Sequence, residues 1–160
     1  MSTRANIIVR DEADELIFYR HSDGYPDGTL PSLNQFLDLV KQGQVRDNTG
    51  QASGWLILLG ADEYGVSVRE GQMAPNNLGA GMQWKVGAYE PTTDLHGDIE
   101  FLYVVDLETK RIRHRKVGRD RSGNPTIPQR FYSGRFNPTK INGRQPGDPR
   151  NPNHNVNGRT

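Results

Sequence analysis

The chain has 160 residues, of which 33% are hydrophobic and none is cysteine. That is scale for one modest core plus an extension, and it excludes disulfides, thiolate nucleophiles and cysteine-ligated zinc. The net charge of +1 conceals a split in sign: residues 1–109 hold 7 of the 20 Lys+Arg and 17 of the 19 Asp+Glu (−10), and residues 110–160 hold the other 13 basic residues with only Asp120 and Asp148 (+11). An acidic body joined to a basic end implies a polyanionic partner, or an acidic surface on this or a neighbouring chain.

In chain order, Asn6–Arg10 is short, apolar and β-branched and is predicted as a strand, with Glu15–His21 returning after the polar turn Asp11–Asp14. Ser22–Gly28 is dense in turn formers and is expected to be a loop. Pro31 and Ser32 look like a helix start, because Leu33, Phe36, Leu37 and Val40 recur at the spacing of one helical face and Gly43 supplies a stop. Asn48 and Thr49 are candidate caps for a second helix over about residues 50–63 (a length within the usual range), with Ala52, Trp55, Leu56 and Leu59 expected in the core. The run Trp55–Leu59 also fits a buried strand, but leucine richness and segment length favour a helix.

Residues 65–83 carry four glycines, at 65, 71, 79 and 81, together with Pro75, and are expected to form a long irregular loop. Trp84–Tyr89 alternates as a strand. Asp98–Asp106 is the clearest strand pattern in the chain, with Ile99, Phe101, Tyr103 and Val105 expected on one face, and Lys110–Val117 is the predicted last strand. The order β-β-α-α-β-β-β implies an α+β fold: an antiparallel sheet with two helices on one face and an irregular basic C-terminal tail. The compact domain is expected to span residues 1–120. Residues 121–160 form a basic extension rich in Gly, Pro and Asn, expected to be mobile unless bound. Within it, residues 133–160 offer only Phe136, Ile141 and Val156 as large apolar groups. The longest continuous apolar run, Trp55–Leu59, is far short of a membrane span, and Met1–Arg4 lacks a signal-peptide apolar region, so a soluble cytoplasmic protein with no membrane partner is expected.

Three groups of residues carry candidate chemistry. On the last strand Arg111, Arg113 and Arg115 alternate with Ile112, His114 and Lys116, which places three guanidiniums on one face. Arg119, Arg121 and Arg130 follow, with Phe131 and Tyr132 available for stacking, as on a single-strand-binding surface; a solvated edge strand kept soluble by charge has the same pattern. His21 and Asp23 sit at a strand end, where a histidine beside a carboxylate suits general-base or ligand-contacting work, although Ser22–Gly24 and Pro26–Gly28 are also what tight turns need. His96, Asp98 and Glu100 at i, i+2, i+4 would share a strand face and suit a hard or borderline metal, with a polar strand entry as the plain alternative. Nucleophile-elbow, P-loop and His-Glu-x-x-His motifs are absent, and Gly79–Gly81 lacks the downstream spacing of a dinucleotide fingerprint. No cofactor is expected.

Ser2–Val9 with Tyr19–Pro26, Gln51–Ile57, and Trp84–Thr93 with His96–Tyr103 together resemble a group of small uncharacterised proteins encoded by bacteriophages and prophages. The resemblance covers most of residues 2–107 and not the tail. It carries no established activity; it implies a phage accessory context in a host cell, where small proteins bind and block host components, as a host-defence antagonist does.

The leading expectation is a non-catalytic accessory protein that binds a polyanion (nucleic acid, a nucleotide ligand or a host nucleic-acid-handling complex). Arg111, Arg113, Arg115 and Lys116 would make the main phosphate contacts, Arg119 and Arg121 would extend them, and His21 and Asp23 are further candidate ligand contacts. One alternative is assembly, a homo-oligomer in which the basic tail orders on an acidic neighbouring subunit. The other is a metal-dependent hydrolase working through His21, Asp23 and His96.

Overall fold

A computed structural model describes residues 2–63, 66–69, 72–75 and 87–128. The strands β1 (Ala5–Arg10) and β2 (Glu15–Arg20) form the expected hairpin, in register from Ala5 opposite Arg20 to Arg10 opposite Glu15. Helix α1 spans Pro26–Lys41 and helix α2 spans Thr49–Glu63. They are followed by β3 (Val66–Arg69), β4 (Gln72–Pro75), β5 (Glu90–Thr92), β6 (Phe101–Asp106), β7 (Arg111–Lys116), β8 (Gly118–Arg119) and β9 (Pro125–Thr126). The main sheet has the order β5-β2-β1-β6-β7. The class is α+β, as expected.

The sheet is mixed rather than purely antiparallel. β1 pairs with β6 in parallel, Ala5 opposite Phe101 through Arg10 opposite Asp106. After β2 the chain passes through both helices and returns on the other side of β1, running the same way. The central position explains the composition of β1. Ala5, Ile7 and Val9 pack under the helices, and Ile8 packs on the opposite side. An uninterrupted apolar run such as Ile7–Val9 is the mark of a strand covered on both faces.

Leu33, Phe36, Leu37 and Val40 of α1 and Ala52 and Leu56 of α2 fill the first core with Phe18, Tyr103 and Val105. Helix α1 begins a turn earlier than expected. Pro26 sits in its first turn, where a missing N–H has no consequence, and Asp27 sits at its positive end. Part of the Ser22–Gly28 loop is therefore helix. In α2, Asn48 caps as expected, its Oδ1 accepting the Gln51 N–H at 3.1 Å. Trp55 departs from expectation: it is 49% exposed.

The second face of the sheet is covered by irregular chain rather than by helices. Ile8, Ile17, Tyr19, Leu102 and Val104 meet Leu95, Ile99 and Val117, and Ile127 packs against them. Ile99 lies here, not with Tyr103 and Val105, because the strand starts only at Phe101. The described chain runs through the β8–β9 hairpin to residue 128, so the expected boundary at residue 120 falls inside that hairpin.

The expected loop at 65–83 contains a second two-stranded sheet, with Val66 opposite Pro75 and Arg69 opposite Gln72. Val66–Arg69 has a two-residue alternation, a signal too short to stand out among the glycines around it. The expected strand at 84–89 falls outside the described residues for 84–86, and residues 87–89 are not strand. Residues 129–160, with Arg130, Phe131 and Tyr132, lie outside the described residues. Among the described residues no helix is long and apolar enough to cross a membrane.

Candidate nucleic-acid interface

β7 is the last strand of the sheet and pairs only with β6 among the described residues. Its register sorts its side chains. Ile112, His114 and Lys116 stand opposite Val105, Tyr103 and Phe101 on the helix side; Arg111, Arg113 and Arg115 stand opposite Asp106, Val104 and Leu102 on the other side. Ile112 packs on the first core and His114 stacks on Tyr103 with centroids 5.7 Å apart. The three arginines thus share one face, as the alternation requires. Lys116 lies on the opposite face, so it does not join them.

Val104 and Leu102 stand directly across from Arg113 and Arg115, and both arginines are half-buried. Arg115 also donates from Nε to the Lys116 carbonyl at 3.3 Å. Lys110, in the turn before β7, has φ of 57° and pairs with Asp47 at 3.2 Å. Its ammonium also donates to the Leu107 carbonyl at 2.6 Å.

Arg119 has a different position from the row. Its guanidinium donates to the carbonyls of Gly97 at 2.6 Å, Ile99 at 2.7 Å and Gly123 at 3.2 Å. It therefore ties the 97–99 segment to the β8–β9 hairpin. Arg121 is exposed in the hairpin turn, next to Asp120, whose Oδ1 accepts the Ser122 and Asn124 N–H groups at 2.9 Å.

The histidines gather at the opposite edge of the same sheet face. Tyr19 and His21 are two residues apart on β2 and its end, and their ring centroids lie 4.4 Å apart, edge to face. His96 stacks on the same Tyr19 ring at 3.8 Å. The Asn6 carboxamide places it: Oδ1 accepts the His96 N–H and Nδ2 donates to the Phe18 carbonyl, both at 2.8 Å. His21 Nε2 meets Glu90 at 2.8 Å, and His96 Nε2 meets the Thr92 hydroxyl at 3.2 Å. The Tyr19 hydroxyl donates to the Asp98 carboxylate at 2.9 Å, and Arg4 pairs with that carboxylate at 3.3 Å. Burial first, and the adjacent Asp98 carboxylate second, raise the Tyr19 phenol well above its ordinary range.

His21 and His96 therefore meet on one aromatic ring, but Asp23 does not join them. Asp23 has φ of 55° and accepts a hydrogen bond from the Tyr25 hydroxyl at 3.2 Å, while its carbonyl accepts from Thr29 Oγ1 at 2.8 Å. It shapes the entry to α1. The expected metal face of His96, Asp98 and Glu100 is not formed, because residues 97–98 are a turn and the strand starts later. Among the described residues no three His, Asp or Glu side chains are placed to hold a metal ion. Three inter-strand spacings, about 14 Å, separate β2 from β7. The histidine cluster and the arginine row are two places, not one site.

Two participants had no clear signal in the sequence. Tyr19 organises both histidines, and only its two-residue spacing from His21 hints at a shared face. Arg20 is 1% exposed, pairs with Glu63 at 2.5 Å, donates to the Ser22 and Gly28 carbonyls and lies 5.1 Å over the Tyr89 ring. No family model, curated protein or solved structure matches the chain.

Proposed function

We propose that this protein is a non-catalytic binder of nucleic acid that grips phosphates through Arg111, Arg113 and Arg115. The observation that carries this is their common face on the edge strand β7. Guanidiniums give charge-assisted, fork-shaped hydrogen bonds to phosphate oxygens, and this row runs along an edge strand with Arg111 exposed and Arg113 and Arg115 half-buried. Between residues 110 and 128 the sequence has seven basic residues and one acidic one, against the −10 of residues 1–109. That asymmetry orients an approaching polyanion toward β7.

The test is fluorescence anisotropy of labelled oligonucleotides with the full chain across a salt series. Binding should weaken as a linear function of log salt, by counterion release. The triple variant Arg111→Glu, Arg113→Glu, Arg115→Glu should abolish it while circular dichroism stays that of the wild type. Failure of the wild-type chain to bind at low salt, or binding that survives the triple reversal, sinks the proposal.

A further inference from the structure

We infer that a second copy of this chain docks on the outer face of α2, helix against antiparallel helix about a two-fold axis. This surface is separate from the β7 row and does not depend on it. α2 is fixed to β2 at both ends: Thr49 Oγ1 donates to the Asp14 carbonyl at 3.3 Å, and Glu63 pairs with Arg20 at 2.5 Å. Thr49, Ala52, Ser53, Leu56 and Gly60 form the buried side of the helix. Gly54, Trp55 and Ile57 are exposed. Single exposed apolar residues are ordinary. An exposed helix face without charge is not, because the solvated side of a helix normally carries charged and polar groups. From Thr49 to Ala61 no residue is charged.

Charge returns at the two ends of this face, with opposite signs. Arg46 is exposed just before the helix, and Asp62 is exposed in its last turn. Their neighbours are already engaged, Asp47 with Lys110 and Glu63 with Arg20. Arg46 and Asp62 form no ion pair among the described residues. Asp62 also stands at the negative end of its own helix, where the last turn holds no basic residue to offset it. Gly54 is midway in sequence between Arg46 and Asp62. A two-fold axis at Gly54 sets Arg46 and the positive helix end of one copy against Asp62 of the other, and does so twice. A Cβ at Gly54 would meet nothing within 4 Å, so the helices can approach closely at the axis. This self-complementarity is what selects a second copy over an unrelated protein. Faces rich in the carboxylates of residues 1–109, which sum to −10, repel their own copies. One helix face is smaller than the about 800 Å² per partner of a standard interface, so the dimer belongs to the weak, concentration-dependent class.

The test is sedimentation equilibrium of the full chain, freed of nucleic acid, from micromolar to near-millimolar concentration. The wild type should pass from monomer to dimer across that range. Trp55→Glu should stay monomeric while its circular dichroism remains that of the wild type. Arg46→Glu and Asp62→Arg, both at exposed positions, should each weaken the dimer by about tenfold, because a two-fold contact repeats the reversed pair. The double variant Arg46→Glu, Asp62→Arg restores opposite charges and should recover the dimer. A wild type that is monomeric throughout overturns the inference, and so does a dimer that Trp55→Glu leaves intact. Single charge reversals without effect, or a double variant no better than either single one, overturn the antiparallel pairing.

Discussion

The carboxylate of Asp11 accepts the backbone N–H of Thr49 at 2.8 Å and so caps a helix that begins 38 residues further along the chain. Its other oxygen accepts the Ala13 and Asp14 N–H groups at 2.6 and 2.8 Å. One buried side chain therefore closes the β1–β2 turn and holds the start of α2 against it. Negative charge at that end also meets the positive end of the helix. Hydrogen bonds to a charged group contribute about 1.5–3 kcal/mol, so Asp11→Ala should lower stability by about 2–3 kcal/mol in urea unfolding.

The same contacts set a pH dependence. The Thr49 N–H, followed by those of Asp14 and Ala13, holds the Asp11 carboxyl at about 2, below its ordinary 3.8. The folded state thus binds the proton less readily than the unfolded chain. The contribution is complete above about pH 4 and disappears as the pH falls through about 2. The stability gap between wild type and Asp11→Ala should close over that interval. A gap that is constant down to about pH 2 contradicts the assignment.

At high pH the direction reverses. Tyr103 is fully buried and its hydroxyl donates to the Gly24 carbonyl at 2.7 Å. Burial pushes the phenol up from 10.0 to about 12. Its share of stability is complete below pH 10 and is lost as the pH climbs through about 12, because the unfolded chain gives up the proton first. Tyr103→Phe should cost about 1 kcal/mol at neutral pH from the lost hydrogen bond and should flatten the alkaline fall. Urea midpoints of both proteins across the alkaline range check this.

Gly60 and Gly54 lie on one helix and should respond to alanine with opposite signs. A Cβ at Gly60 would stand 2.8 Å from Tyr89 Cδ2 and 3.1 Å from its backbone nitrogen, where α2 approaches the 88–89 segment and Ala88 donates to the Gly60 carbonyl at 3.2 Å. Tyr89 cannot yield easily, being buried and hydroxyl-bonded to Ser32. A Cβ at Gly54 meets nothing within 4 Å. Alanine is favoured over glycine inside a helix by about 0.8–1.0 kcal/mol, and overpacking costs about 1–3 kcal/mol. Gly54→Ala should therefore raise the thermal midpoint and Gly60→Ala should lower it.

How much was legible in the sequence depends on how local the signal is. The α1 face was legible because Leu33, Phe36, Leu37 and Val40 repeat at 3.6-residue spacing against polar neighbours, and all four are buried. The arginine row was legible because strand alternation alone fixes it. The histidine cluster was only half legible. His21 follows Tyr19 on its own strand, but His96 arrives through an Asn6 bond that spans 90 residues. The burial of β1 and β6 on both faces was written in their unbroken apolar runs, but the parallel direction of their pairing was not, since each also pairs antiparallel with its other neighbour. Nothing local announces Arg20: a buried guanidinium needs partners as distant as Glu63, and only the completed fold supplies them.

Trp55 shows where periodicity carries no information, and it supplies the last prediction. Helix α2 has leucine, isoleucine and tryptophan around its whole circumference from residue 55 to 59, so no face stands out from the sequence. Packing chooses Leu56, which is fully buried in the first core, and leaves Trp55 and Ile57 exposed. Leu56→Ala removes packed atoms and leaves a cavity, a change that costs about 2–5 kcal/mol. Trp55→Ala removes a larger side chain from a partly solvated position and should stay within about 0.5 kcal/mol of wild type, as surface substitutions do. Urea unfolding of the two variants decides the matter: a Trp55→Ala loss comparable with that of Leu56→Ala would place the indole in the core after all.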